Sequence, residues 1–158
     1  MNSKPRHVLE SASRRALLER ALLAAGLLLP LAALAADADN GAAAAVAKVL
    51  NKRAPLTSGL KFTTPAIAEN GNTVPVSVEV EGAFSAEHYV KAIHLFAEGN
   101  PAPEVISFRF TPRSGRAKVA TRIRLAKTQR VVALAEWSDG RVLEAINEVK
   151  VTIGGCGG

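Results

Sequence analysis

The sequence is poor in cysteine: its 158 residues include a single one, Cys156. One cysteine excludes an internal disulfide and a cysteine-rich zinc site. One methionine and three histidines leave few side chains for a copper or iron centre. We therefore expect no metal site and no cofactor. The eight prolines and twelve glycines follow no fixed period, which excludes a collagen-like chain.

The excess of positive charge is smaller in residues 36–158 than in the whole chain. The formal net charge is +6, but the first 35 residues hold five of the 20 basic and two of the 14 acidic side chains. The rest of the chain has a net charge of +3, without the strongly basic surface that nucleic-acid binding requires. We therefore expect no nucleic-acid partner. With 48% hydrophobic and 22% charged residues, the chain is expected to fold.

Residues 1–35 have the pattern of a secretory signal. A basic region ends in Arg14 and Arg15, an apolar run extends from Ala21 to Ala36, and Ala33-Leu34-Ala35 has the small residues that signal peptidase recognises. The apolar run is shorter than the roughly 20 residues that span a bilayer. The sequence therefore predicts cleavage after Ala35, with an uncleaved membrane anchor as the alternative.

The paired arginines at Arg14 and Arg15 bear on the export route. Leu17 and Leu18 follow the pair after Ala16, which resembles a twin-arginine signal. An ordinary Sec signal with a chance arginine pair is the alternative. Either route predicts a protein of the bacterial periplasm, with no membrane contact after cleavage.

Residues 36–153 are predicted to form one domain that begins with a short helix. Apolar residues near helical spacing predict this helix from about Ala42 to Arg53. Asn40 is placed to cap its start, and Pro55 to close it.

The remainder of this domain has the periodicity of strands. Val74, Val76, Val78 and Val80 alternate with other residues, and Pro75 among them predicts an edge strand. Similar patterns predict six to eight short strands separated by turns, with Ile106, Phe108 and Phe110 sharing a face and 131–137 forming a central strand. The fold class is therefore all-β, an immunoglobulin-like antiparallel sandwich, with a barrel as the alternative.

Residues 154–158 are predicted to form a flexible arm. They read Gly154-Gly155-Cys156-Gly157-Gly158. Glycine permits nearly any backbone conformation and brings no side chain to bury the thiol. The pattern favours a tethered, exposed thiol that carries a covalent cargo between other proteins. An adaptor linked by an intermolecular disulfide and a thiol enzyme are alternatives, but an enzyme would need a fixed base beside Cys156.

Two further groups of polar residues are candidate sites. His88 and His94 would share a face of one strand; a metal pair is the alternative to histidines at the protein surface. Lys118, Arg122 and Arg124 also share a predicted strand face. This face is interpreted as solvated, with a docking patch as the alternative.

The five-residue terminus resembles the carrier arm of the SoxY family, which acts in bacterial thiosulfate oxidation. Further blocks resemble the same family and, with the terminus, cover most of residues 60–158. They are Leu60-Lys61-Phe62, Thr64-Pro65, Ile67 to Gly71, Val74-Pro75-Val76, Asn100 to Pro103 and Thr121 to Ala126.

This resemblance implies a carrier rather than an enzyme. It implies a sandwich fold, a heterodimer with SoxZ, and thiosulfate-derived sulfur held on Cys156. The SoxAX cytochrome would load the arm, the SoxB hydrolase would release sulfate, and the sulfane dehydrogenase SoxCD would process the rest. The carrier itself would hold neither metal nor haem.

Overall fold

The computed structural model describes residues 41–155, which form two β-sheets and a short helix. The helix α1 spans Ala42–Leu50. The strands are β1 (Leu60–Thr63), β2 (Ile67–Asn70), β3 (Val74–Val80), β4 (Val90–Ala97), β5 (Glu104–Arg109), β6 (Lys118–Ile123), β7 (Gln129–Trp137) and β8 (Val142–Ile153). A 3₁₀ turn covers Pro112–Ser114. The predicted signal, with Arg14 and Arg15, lies outside the described residues.

The strands form a three-stranded and a five-stranded sheet. Their orders are β1-β3-β6 and β2-β8-β7-β4-β5. The hydrophobic core is made by inward side chains of both sheets, because alternate residues of a strand point to one face. It includes Val74, Val78, Ile93, Val131 and Val149, each fully buried. The predicted all-β sandwich is confirmed.

Helix α1 begins and ends differently from the prediction. Its cap is Gly41, with φ of 81° and no side-chain hydrogen bond; Asn40 lies outside the described residues. The helix ends at Leu50 rather than at Arg53, because Asn51 and Lys52 adopt left-handed φ values of 46° and 63°. Three residues of the predicted helix are therefore outside it, and Pro55 does not set its end.

The α1 helix covers the outer face of the five-stranded sheet. Ala45, with Val46, Val49 and Leu50 partly buried beside it, packs on a small second core of Phe96, Val132, Leu134 and Val142. Beyond the helix, Arg53 donates from Nε to the Leu50 carbonyl at 2.8 Å and from Nη1 to the Gly140 carbonyl at 3.0 Å. These bonds satisfy a helix-end carbonyl and fix the helix to the β7–β8 turn.

Two strand predictions were wrong in detail. Pro75 is on the central strand of its sheet, not on an edge strand. The pairing of β3 with β1 ends at Ser77, so the amide hydrogen that Pro75 lacks costs no bond to β1. The sheets are also not wholly antiparallel, since β2 runs parallel to β8.

The face shared by Phe108 and Phe110 is only partly as predicted. Both pack against the main core, but Ile106 is 37% exposed. The register of β5 shifts where it pairs with β4 between Leu95 and Phe96. This irregularity accompanies a break in the alternation of buried residues along β5.

Among residues 41–155, no helix is long and apolar enough to cross a bilayer. The helix α1 has nine residues, about half of the 18 or more that a span would take.

Candidate functional site

The carboxy-terminal segment leaves the sandwich from an interior strand. Strand β8 is paired with β7 on one side and with β2 on the other. Its pairing with β2 extends to Ile153, its last residue. The pairing with β7 ends at Val149, so the last residues of β8 are held on the β2 side, and the arm begins beside β2.

Three backbone hydrogen bonds hold the next residues against two loops. The Gly71 amide donates to the Ile153 carbonyl at 2.7 Å, and the Leu125 amide donates to the Gly71 carbonyl at 2.8 Å. The Gly155 amide in turn donates to the Leu125 carbonyl at 2.9 Å. We call Gly71, Leu125, Ala126, Gly154 and Gly155 the arm anchor. Gly155 is buried within it.

The arm anchor requires glycine because backbones approach each other closely there. A Cβ atom placed on Gly154 would lie 2.2 Å from the Ala126 carbonyl oxygen. One on Gly71 would lie 2.2 Å from the Leu125 oxygen, and one on Gly155 2.8 Å from the Gly71 oxygen. Real Cβ atoms do not approach backbone this closely. Close backbone contact therefore explains why each of these positions is glycine, in addition to the conformational freedom that glycine gives the chain.

This geometry changes the expectation for the first half of the arm. The sequence predicted flexibility at Gly154, Gly155, Gly157 and Gly158. The structure places Gly154 and Gly155 in the arm anchor, joined to the sandwich by a backbone hydrogen bond. Cys156, Gly157 and Gly158 lie outside the described residues, so the role of Cys156 and the mobility of the arm stay predictions.

A buried polar pair supports the loop that forms the arm anchor. Asn100, 2% exposed, donates from Nδ2 to the Arg124 carbonyl and accepts from the Ala126 amide, both at 2.9 Å. Gln129 donates from Nε2 to the same Asn100 oxygen at 2.9 Å. Buried amides bonded in this way fix loop backbone. From the sequence, Asn100 was recognisable only as part of a turn; the two prolines after it were the available signal for a rigid loop.

His94 belongs to a separate polar cluster beside helix α1. Its Nδ1 is 2.7 Å from the Ser107 hydroxyl, and its Nε2 is 3.5 Å from a carboxylate oxygen of Glu136. Glu136 also lies 3.5 Å from the Arg53 guanidinium. Burial is the main cause that lowers the pKa of His94; the Glu136 charge raises the pKa and the Arg109 charge lowers it.

The lowered pKa of His94 makes stability depend on pH. The unfolded chain binds the proton more readily than the folded one, so this contribution is complete above the ordinary pKa of 6.5. It is lost as the pH falls from there through the folded-state pKa. We expect the His94→Gln variant to lose less melting temperature than the unsubstituted protein between about pH 8 and about pH 5. Parallel melting curves would contradict this expectation.

His88 lies in a different environment from His94. Its ring stacks on Trp137 with centroids 4.4 Å apart, and its Nδ1 is 3.5 Å from Asp139. Arg141 also lies over the Trp137 ring, at 5.1 Å. The two histidines therefore belong to separate clusters. Over residues 41–155, no group of three or more His, Cys, Asp or Glu side chains is placed to hold a metal ion.

The predicted basic face of β6 is present. Lys118, Arg122 and Arg124 are all exposed. Lys118 forms an ion pair with Glu79, with a hydrogen bond of 2.9 Å from its Nζ to the carboxylate. This hydrogen bond is the main cause that lowers the pKa of Glu79. In the described part of the chain, neither arginine has an ion pair within 4.0 Å. Arg124 is followed in the chain by Leu125, which belongs to the arm anchor.

Comparison with known proteins gives a family and a number of similar solved structures, among them the following two. The sulfur carrier protein SoxY from Chlorobium limicola f thiosulfatophilum is 33% identical; the match covers 70% of this chain and 96% of that one, with a TM-score of 0.57. A superoxide reductase (neelaredoxin) from Ignicoccus hospitalis is 24% identical over 60% of this chain and 81% of that one, with a TM-score of 0.53. That second likeness concerns the fold alone. No curated protein matches.

The fold and the comparisons define a small β-sandwich protein of sulfur oxidation, with a glycine-rich carboxy terminus anchored to the sandwich. The family model described as "Sulfur oxidation protein SoxY" matches residues 46–156, which includes Cys156 and most of the described domain. The chain belongs to the SoxY family.

Proposed function

We propose that the chain is a covalent carrier of sulfur in thiosulfate oxidation, with Cys156 as the attachment site. The observation that carries this proposal is the family match, which extends to Cys156, together with the likeness to a sulfur carrier protein at 33% identity. The arm anchor supports it physically. The anchor fixes where the arm starts, so the reactive sulfur would be presented from a defined place on the sandwich.

The proposed loading step joins the Cys156 sulfur to the outer sulfur of thiosulfate. The cysteine thiolate and S₂O₃²⁻ form a protein-bound thiosulfonate, Cys156 Sγ–S–SO₃⁻, with release of two electrons. A c-type cytochrome of the SoxAX class would accept those electrons. Hydrolysis by a SoxB-class enzyme would then release sulfate and leave a persulfide on the arm, and a SoxCD-class dehydrogenase would oxidise the remaining sulfur.

Catalysis would belong to those partners rather than to this chain. A cysteine nucleophile needs a positioned base to raise its thiolate fraction. The arm anchor that precedes Cys156 consists of glycine, leucine and alanine residues whose contacts there are made by backbone groups. Cys156 thus serves as the attachment point for cargo, and the partner enzyme supplies the activating groups.

Two further parts of the proposal concern location and assembly. We propose that the signal in residues 1–35 exports the protein to the periplasm, and that the mature domain forms a heterodimer with SoxZ. Purification from the periplasmic fraction, followed by mass determination of the native complex, tests both. Recovery from the cytoplasm, or as an isolated monomer in cells that make SoxZ, would contradict them.

The test of carriage is the intact mass of the protein isolated from cells oxidising thiosulfate. We expect added masses of sulfur or thiosulfate that a reductant removes, because mixed sulfur–sulfur bonds exchange with thiols. A Cys156→Ser variant should show none of them. Its melting temperature should equal that of the unsubstituted protein, since Cys156 follows the arm anchor and is not part of it.

Two results would contradict carriage. One is an unmodified thiol throughout active thiosulfate oxidation. The other is a stable disulfide between Cys156 and a second chain as the sole modification, which would indicate the adaptor function instead.

A further inference from the structure

A cleft opens between the two sheets on the side of strands β5 and β6. Each of these strands is the last of its sheet, so the sandwich is unclosed there. The cleft has a volume of about 350 Å³ and is lined by Val105, Ile106 and Ile123 with Glu104, Arg122 and Arg124. It combines apolar residues with two exposed arginines. This is the composition of a site that takes a small ligand with an anionic end.

The cleft lies in the most basic part of the chain. Residues 105–130 contain eight Lys and Arg residues and no Asp or Glu. Two of those cations are engaged locally, Lys118 with Glu79 and Arg130 with Glu98. Glu104 is the one carboxylate among the residues lining the cleft. Two arginines against one carboxylate leave a net positive site.

The same loop forms the wall of the cleft and the arm anchor. The Arg124 carbonyl accepts the Asn100 side-chain hydrogen bond, and the Leu125 carbonyl accepts the Gly155 amide. Asn100 also lines the cleft. The last anchored residue of the arm is therefore hydrogen-bonded to the residue next to Arg124. Cys156 is the next residue in the chain, so its Cα follows that of Gly155 at about 3.8 Å and its side chain starts close to Arg124.

We propose that Arg122 and Arg124 form a docking site for the sulfonate end of cargo attached to Cys156. This inference rests on the proposed function. Guanidinium groups present several donors in a fixed plane and bind tetrahedral oxyanions with charge-assisted hydrogen bonds. The thiosulfonate adduct, Cys156 Sγ–S–SO₃⁻, ends in such an oxyanion. Release of its sulfate by hydrolysis removes the group that the arginines hold, so the arm is retained when it carries sulfonate and freed afterwards.

The experiment uses a sulfonate attached chemically, so that it does not depend on the partner enzymes. Sulfonatoethyl methanethiosulfonate converts the Cys156 thiolate into a mixed disulfide, with methanesulfinate as the leaving group. The matched reagent with a hydroxyethyl group gives a neutral adduct of similar size. The measurement is the rate at which dithiothreitol removes each adduct from the full mature chain, followed by intact mass.

We expect docking to protect the sulfonate adduct specifically. Replacing both arginines, Arg122→Gln with Arg124→Gln, should accelerate its removal about ten-fold at low salt, with the neutral adduct unchanged. The control variant is Arg113→Gln with Arg116→Gln, which removes the same charge from the same basic segment outside the cleft lining. It should retain protection. Salt of about 1 M should abolish the difference.

Two results would overturn the docking site. One is equal removal rates in the unsubstituted protein and the cleft variant. The other is an equal loss of protection in the control variant, which would assign the effect to the general field of the basic segment. Both results can be measured whether or not the chain carries sulfur in the cell, because any accessible thiol reacts with the reagents. Failure of the carrier proposal would appear instead in the masses of protein from thiosulfate-oxidising cells.

Discussion

Gly71→Ala is expected to destabilise the protein and to release the base of the carboxy-terminal arm. The new Cβ would lie 2.2 Å from the Leu125 oxygen and 2.7 Å from the Gly155 nitrogen. Both are backbone atoms, so the clash cannot be relieved by turning a side chain. We expect a loss of about 1–3 kcal/mol, the usual cost of overpacking. Urea unfolding measures the loss, and hydrogen exchange at the Gly155 amide measures the release.

Gly99→Ala provides a matched control for this substitution. Its Cβ would come within 2.9 Å of the far end of the Lys127 side chain and 3.0 Å of the Gln129 Cβ. The lysine end is flexible and can move away, so the expected loss is smaller. The steric account of the arm anchor fails if Gly71→Ala unfolds at the same urea concentration as the unsubstituted protein. It also fails if exchange at Gly155 stays unchanged.

The part of the fold that is encoded locally was predictable from the sequence. The valines of β3 alternate because one face of that strand is buried, and Val74, Val76, Val78 and Val80 are each at most 4% exposed. A mostly apolar run, rather than alternation, predicted the interior position of β7. A period of two is a property of a short segment, so no knowledge of the partner strand is needed to recognise it.

The part that depends on distant pairs was not predictable. Asn70-Gly71-Asn72 indicated a turn, but a turn does not reveal that Leu125 and Gly155 approach its middle residue. The parallel pairing of β2 with β8 joins segments about 80 residues apart. The edge position assigned to Pro75 was wrong for the same reason, since it depended on where β1 stops.

The features of the candidate site also fall into a part that the local sequence predicts and a part that depends on distant residues. The order of residues around Cys156 was sufficient to predict a carrier arm, because five consecutive residues form the whole motif. The reason for Gly154 and Gly155 in that motif is a contact with Ala126 and Gly71, which lies elsewhere in the chain. The identity of the family therefore followed from the sequence, whereas the mechanical role of the first two glycines required the structure.

Phe96→Ala is expected to have the largest effect on stability. Phe96 is 2% exposed and belongs to the second core, which holds helix α1 on the five-stranded sheet. Removing a buried aromatic ring leaves a cavity and costs about 3–5 kcal/mol. A typical domain has only about 5–15 kcal/mol of stability in total. We therefore expect the midpoint of urea unfolding to fall by roughly a fifth or more of its value, with a loss of helical circular dichroism at an earlier stage.

Ile106→Ala is the comparison at a partly exposed apolar position. Ile106 is 37% exposed in the cleft beside β5, so its truncation should cost about 1 kcal/mol or less. Equal losses for the two variants would contradict the assignment of Phe96 to a packed core. If the Phe96 variant unfolds in one step with an unchanged slope, α1 and the sandwich form one cooperative unit. In that case the helix contributes to the stability of the sheet from which β8 carries the arm.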